Sequence, residues 1–116
     1  MPNDSLFGVH GAALEVRSQR MGVLASNIAN ASTPGFKAQD VDFHTALAAV
    51  ESAGGGNASI SGALQYRVPS QPSLDGNTVE LATEQTAFAE NAVAYQTTLS
   101  FLNGRISQIT RALRGE

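Results

Sequence analysis

The sequence predicts a mainly α-helical protein in which a long N-terminal helix and a long C-terminal helix pair as a coiled coil. Apolar residues recur at helical spacing near both ends of the 116-residue chain, and the C-terminal repeat is a strict heptad. The middle contains Pro69, Pro72 and the run Gly54–Gly56, which interrupt regular helices. We therefore expect an irregular region there, with a short helix and a small β-hairpin.

These features divide the chain into three segments of a single structural domain. Residues 1–38 form the N-terminal helix and a Thr-Pro-Gly turn, 39–79 the irregular region, and 80–116 the C-terminal heptad helix. Only 6% of residues are aromatic, so a core of this size buries little area per residue. We expect an isolated monomer to be marginally stable and a partner to supply further burial.

The N-terminal helix is predicted from about Ser5 to Asn30, with Asn3, Asp4 or Ser5 as its cap. Its apolar residues span an arc of roughly 220°, whereas a surface helix needs a stripe of only about 100°. The wide arc predicts two or more packing neighbours. The alternative is a helix buried within its own small domain. The residues predicted to face the C-terminal helix are Val9, Val16 and Val23.

A sharp turn follows this helix. Pro34 cannot continue a helix and biases Thr33 toward an extended conformation, and Gly35 suits the turn that follows. Asn27 and Asn30 precede the turn, and two interpretations stay open for them. They either cap the end of the helix or form hydrogen bonds across to a neighbouring subunit.

The middle region contains three predicted elements. Residues Asp40–Ala53 are predicted as a short helix with Asp42 as its cap, and residues 52–62 as a flexible, glycine-rich linker. A hairpin is predicted to join Tyr66–Val68 with Thr78–Val79, because Asp75-Gly76-Asn77 is a strong tight-turn signal.

The C-terminal helix has the strongest pattern in the chain. It is predicted from about Glu80 to Leu113, a length of ~50 Å. Its apolar residues follow 4-3-4-3-4-3-4 spacing, which predicts left-handed supercoiling against a partner. We expect the three N-terminal valines to pair antiparallel with Tyr95, Leu99 and Leu102. The heptad positions are Phe88, Ala92, Tyr95, Leu99, Leu102, Ile106, Ile109 and Leu113.

The composition disfavours several classes of protein. The net charge is -3, which argues against a general nucleic-acid-binding protein. The chain has no cysteine, and its apolar runs are shorter than the ~20 residues that a membrane span needs. The N-terminus lacks the basic region of a cleavable signal peptide.

The sequence also lacks a recognisable catalytic site. The two histidines, His10 and His44, do not have the spacing of metal ligands. Gly54–Gly56 is not followed by the lysine of a phosphate-binding loop. Asp40 and Asp42 are more simply explained as helix-capping residues than as an acid–base pair. We expect no enzyme activity, no cofactor, no metal and no small-molecule substrate.

Two stretches resemble the bacterial flagellar rod and hook protein family. The N-terminal signature is Leu24–Asn30 followed by Thr33–Ala38. In the second half, residues 64–69, 72–79, 88–91 and 101–105 resemble the proximal rod subunits of that family. The resemblance covers most of the chain outside its first residues and 52–62. The motif residues that carry it are Asn27, Ile28, Ala29, Asn30, Thr33, Pro34, Gly35, Phe36 and Lys37.

The resemblance implies a structural role. A protein of this kind forms the proximal part of the axial rod, which links the inner-membrane ring to the distal rod and the hook. Its partners would be copies of itself, other rod proteins, and components of the ring and the export gate. It would leave the cell through the flagellar type III apparatus without a cleaved signal peptide. An alternative that the heptad pattern fits equally well is a soluble coiled-coil adaptor or export chaperone that binds one partner without polymerising.

Overall fold

The computed structural model describes residues 8–53 and 60–115. Helix α1 spans Gly8–Ala29, strand β1 Gln39–Val41, helix α2 Phe43–Ala53, strand β2 Leu64–Tyr66 and helix α3 Leu81–Arg114. The prediction of a mainly helical chain with long N- and C-terminal helices is confirmed. The residues proposed to cap α1 lie outside the described residues.

Helices α1 and α3 pack antiparallel. The ring of His10, near the start of α1, lies 4.4 Å from that of Phe101. Near the other end of α1, the side chain of Asn27 donates a hydrogen bond to Glu84, in the first turn of α3. Because α3 is 34 residues long and α1 only 22, α3 extends past the first described residue of α1. The result is an elongated molecule of 65 × 25 × 18 Å.

The main apolar core lies on another side of α1, between this helix, α2 and the small sheet. Partly buried Val23, Phe43, Leu47 and Leu64 pack against it. Helix α1 therefore contacts α3, α2 and β1. The wide apolar arc of α1 predicted two or more packing neighbours. These neighbours belong to the same chain. The buried core residues are Ala12, Val16, Val41, Ala46, Val50, Ile60 and Ala63.

The predicted hairpin partner was wrong. Strand β2 pairs antiparallel with β1, with Gln39 opposite Tyr66 and Val41 opposite Leu64, and not with Thr78–Val79. Thr78 instead bonds to the segment just before β1: its amide donates to the carbonyl of Phe36 (2.9 Å), and its hydroxyl accepts from the amide of Ala38 (2.8 Å). The prediction had paired the segment around Tyr66 with the segment around Thr78. In the structure both segments pair instead with the extended chain that follows the α1 turn.

The short helix begins later than predicted, because residues 40 and 41 belong to β1. Asp42 is its cap, as predicted: its carboxylate accepts a hydrogen bond from the amide of Thr45 (3.3 Å). Of the predicted linker 52–62, residues 52 and 53 belong to α2, and Ile60 is buried in the core. Residues 54–59 lie outside the described residues.

Candidate assembly interface

The family motif forms the end of α1 and the turn after it. The Asn30 side chain donates to the carbonyl of Ser26 (2.8 Å), and its own amide oxygen accepts from the hydroxyl of Thr33 (3.0 Å). Gly35 has a φ of 76°, a conformation that glycine adopts without strain. Asn27 is buried, while Ile28, Asn30 and Phe36 are half-buried. The exposed motif residues are Ala29, Thr33, Pro34, Gly35 and Lys37.

A second segment, residues 75–78, closes over this turn, and we call the two together the clasp. The buried side-chain amide of Asn77 lies within 2.7–3.1 Å of three carbonyl oxygens, those of Asn30, Ala31 and Thr33. The carbonyls at the end of a helix lack partners within the helix. Asn77 therefore completes the end of α1 from a position 47 residues away along the chain. Lys37 adds a contact of 2.5 Å to the carbonyl of Gly76.

Asn27 joins three elements. Its side-chain nitrogen donates to the Gln39 carbonyl (2.7 Å) and to Glu84 Oε1 (2.9 Å), and its oxygen accepts from the Gln39 amide (3.2 Å). The side chain thus acts like an additional strand residue for β1. Of the two interpretations left open by the sequence, capping describes Asn30. Asn27 instead bonds to two other elements of its own chain.

A cluster of four charged side chains lies beside Asn27. Arg20 binds Asp40 through two hydrogen bonds of 2.8 and 3.0 Å, and Arg67 Nη2 bridges Asp40 (2.9 Å) and Glu84 (3.1 Å). Arg67 Nε also lies 2.8 Å from Glu84 Oε2 as an ion pair. Glu84 is 0% exposed, and a buried carboxylate is tolerated only when it is paired. We call these four residues the charged cluster.

The ion pair between Arg20 and Asp40 shifts the pKa values of both groups. Burial raises the pKa of Asp40, but the hydrogen bonds from Arg20 and from the Val41 amide, together with both arginine charges, outweigh burial and hold that pKa below its ordinary value. The hydrogen bond to Asp40 raises the pKa of Arg20, against the opposing effect of burial. Asp40 and Arg20 are therefore both charged at neutral pH.

Further along the helix pair, Asn91 is another buried polar residue of α3. Its side-chain nitrogen donates to the Arg17 carbonyl of α1 (2.8 Å), while its oxygen has no hydrogen-bond partner. The buried residues of α3 are thus Glu84, Asn91 and Leu102, and two of the three are polar. Hydrophobic periodicity predicted neither polar residue. Both lie beside the heptad positions: Glu84 comes one residue before Gln85, where the heptad continues, and Asn91 one residue before Ala92.

The predicted assembly seam divides into two parts. Val16 is buried in the main apolar core and Val23 packs against that core, on the side of α1 toward α2 and the sheet and not in the predicted pairing with Tyr95, Leu99 and Leu102. On α3, Leu102 is buried, and Phe88, Tyr95 and Leu99 are half-buried. Val9, at the start of α1, is exposed. Beyond Leu102 the same face of α3 continues with Ile106, 41% exposed, half-buried Ile109, and Leu113, 85% exposed. We call these last three residues the distal seam.

Two other kinds of feature, a metal-binding cluster and a membrane-spanning helix, are not found among the described residues. No group of three or more histidine, aspartate or glutamate side chains in this part of the chain is arranged to hold a metal ion. No helix within residues 8–53 and 60–115 combines the length and apolar character needed to cross a bilayer.

Comparison with known proteins gives consistent matches. Residues 7–37 match the family model described as "Flagella basal body rod protein". The flagellar basal body rod protein FlgB of Cereibacter sphaeroides is 48% identical over 121 residues, which cover 95% of this chain and 94% of that protein. The FlgB protein of Aeromonas hydrophila is 48% identical over 126 residues, 97% of this chain and 96% of its own length. That of Escherichia coli K12 is 42% identical over 130 residues, with coverage of 96% and 94%.

Proposed function

Because this chain belongs to the FlgB family of flagellar basal body rod proteins, we propose that it forms the proximal part of the axial rod. It is a structural component of the flagellar basal body rod and not an enzyme. In the proposed position it links the inner-membrane ring to the distal rod and the hook.

The proposal extends to its partners and its route. The chain binds copies of itself, other rod proteins, the inner-membrane ring and the export gate. It reaches the periplasmic rod through the flagellar type III apparatus without a cleaved signal peptide. Its terminal helices act together as a coiled-coil unit of the rod wall, which agrees with the antiparallel packing of α1 and α3.

The observation that carries an assembly role is the distal seam. Its three residues continue the heptad spacing of the face that packs on α1, but Ile106 and Leu113 are exposed. An apolar helix face at heptad spacing is stabilised by burial against another helix. In a rod subunit, a neighbouring subunit supplies that burial.

A complementation experiment tests this role. Cells that lack the gene are given the wild-type chain, the Leu113→Asp variant, or the Gln108→Asp variant as a matched control, since Gln108 is exposed and lies off the heptad positions. We expect the wild type and the control to restore swimming, and Leu113→Asp to reduce it strongly because it places a charge in a buried contact. Full motility of cells without any copy of the gene would rule out the rod function.

The position within the rod needs a separate measurement. A cryo-electron microscopy map of purified basal bodies, with this chain traced, is expected to place it next to the inner-membrane ring. Finding it in the distal rod or the hook would overturn the proximal assignment. Absence of the chain from basal bodies, while motility still depends on it, would instead indicate the adaptor or export chaperone.

A further inference from the structure

The segment between β2 and the clasp carries an exposed apolar surface. Residues 66–74, which we call the strap, begin with Tyr66, the last residue of β2, and then follow an irregular path that contains Pro69 and Pro72. Val68 is 87% exposed, Leu74 is fully exposed, and Tyr66 is largely exposed. Arg67, between two of them, points the other way and binds Asp40 and Glu84. The strap therefore presents three apolar side chains to its surroundings.

Two exposed carboxylates accompany these side chains. The Glu80 carboxylate accepts hydrogen bonds from the hydroxyl and the amide of Ser70, and Asp75 accepts from the Ser73 hydroxyl (2.7 Å) and the Asn77 amide (3.0 Å). These bonds hold the pKa of both carboxyls below the ordinary value, so both are ionised at neutral pH. Lys37 lies beside Asp75, which leaves the exposed groups here with one net negative charge.

The C-terminal end of α3, at the other end of the molecule, is apolar and carries positive charge. The distal seam is apolar, and residues 91–116 include three arginines and a single acidic residue, Glu116. Arg105 is exposed and lies beside the seam, one residue before Ile106. From Leu81 to Arg111 the rise of an α-helix amounts to about 45 Å. The strap and the distal seam of one chain are therefore too far apart to meet.

We propose that the strap of one copy binds the distal seam of a second copy, in a head-to-tail contact. Each surface is apolar, and the carboxylates of one face Arg105 of the other, which aligns the two copies and disfavours like-charged pairings. A contact between two different surfaces need not close into a ring and can propagate as a helix. The inference rests on the proposed rod function and adds the pair of surfaces that would join successive copies.

Photocrosslinking in motile cells tests the contact directly. The photoreactive residue p-benzoylphenylalanine replaces Leu74 in the full-length chain, or Ala48, an exposed residue of α2, as the control position. We expect irradiation to join position 74 to a peptide within 105–114 of a second copy, identified by mass spectrometry, and position 48 to give no such product. Adducts from position 74 only to α1 or α2 of another copy, or only to other proteins, would overturn the proposal.

Charge reversal provides an independent readout. Arg105→Glu is expected to lower the yield of the 74-to-105–114 product roughly tenfold, because it places like charges together. Supplying a partner copy with Glu80→Arg is expected to restore much of the yield, whereas neither change should alter the circular dichroism of the purified chain. If Arg105→Glu leaves the yield unchanged, or if Glu80→Arg does not rescue it, the charge-paired contact is wrong. Basal bodies that contain the chain without this product would overturn the contact alone, whereas basal bodies without the chain would overturn the rod function.

Discussion

The two halves of α3 differ in how they use one heptad face. From residue 81 to 102 this face lies against α1, and the buried residues beside its heptad positions include Glu84 and Asn91, which form specific polar contacts. From residue 103 to 114 the heptad positions continue, but Ile106 and Leu113 are exposed. Buried polar contacts in a helix pair define its alignment at some cost in stability, whereas an apolar face is less selective. The first half therefore fixes the alignment of the two helices, and the second half leaves an apolar surface exposed.

The largest expected effect comes from removing the central carboxylate of the first half. Glu84→Ala removes the carboxylate that binds both Asn27 and Arg67 and leaves part of the buried Arg67 charge uncompensated, and we expect a loss of about 3 kcal/mol in the free energy of unfolding. Urea unfolding followed by circular dichroism measures this. Glu90→Ala, at an exposed position of the same helix, should change stability by less than about 0.5 kcal/mol. A loss at Glu84 as small as that of the control would show that the charged cluster does not stabilise the fold.

The next largest effect is expected from a leucine-to-alanine substitution, which we compare between the two halves of α3. Leu102→Ala creates a cavity next to α1, and we expect it to lower the free energy of unfolding by about 2–3 kcal/mol. Leu113→Ala removes an exposed side chain and should change it by less than about 0.5 kcal/mol, although it weakens assembly. The measurement is urea unfolding of the purified variants. Equal losses at the two positions would mean that the distal seam is already buried in the monomer.

A smaller effect is expected at the clasp. Asn77→Ala removes the donor to the carbonyls of Asn30, Ala31 and Thr33, and we expect a cost of about 2 kcal/mol. Hydrogen exchange followed by mass spectrometry should show faster exchange at the end of α1 and little change in the last turns of α3. Asn103→Ala, at an exposed position, is the control. Uniform acceleration over both helices would indicate global destabilisation and not a local role.

The smallest expected effect is on the stability of the fold at acid pH. Because the pKa of Asp40 is lower in the folded chain than in the unfolded one, its contribution to stability is present above the ordinary aspartate value of about 4 and is lost as the pH falls through the folded pKa. Asp40→Asn should therefore cost about 1 kcal/mol at neutral pH and flatten the loss of stability at acid pH. Thermal unfolding from pH 7 to pH 3 tests this. A variant with the same acid dependence as the wild type would exclude Asp40 as a source of that dependence.

Much of the fold could be predicted from local patterns. The heptad located α3 to within one or two residues at each end, and Pro34 and Gly35 located the turn after α1. The strand pairing could not be predicted in this way, because the partner of β2 depends on where the turn directs residues 36–41. A short turn signal such as Asp75-Gly76-Asn77 predicts only local geometry and not which segments pair. These three residues are part of the clasp and do not connect two paired strands.

The candidate interface shows the same limit. Hydrophobic spacing identified Val16 and Leu102, which are buried, because apolar periodicity directly reflects burial. It could not identify Glu84 or Asn91, since a polar residue is buried only when its partner is supplied by tertiary structure. Arg67, the partner of Glu84, comes from the irregular region, where no periodicity exists.

The Asn77 contact also imposes an order of events in time. The carbonyls that it serves belong to Asn30, Ala31 and Thr33, so the end of α1 is completed by a residue that emerges 44 to 47 positions later. In a chain that is synthesised with its N-terminus first, or that follows the export route proposed above, these carbonyls lack the Asn77 donor until residue 77 arrives. The end of α1 is then completed only after about two-thirds of the polypeptide has emerged.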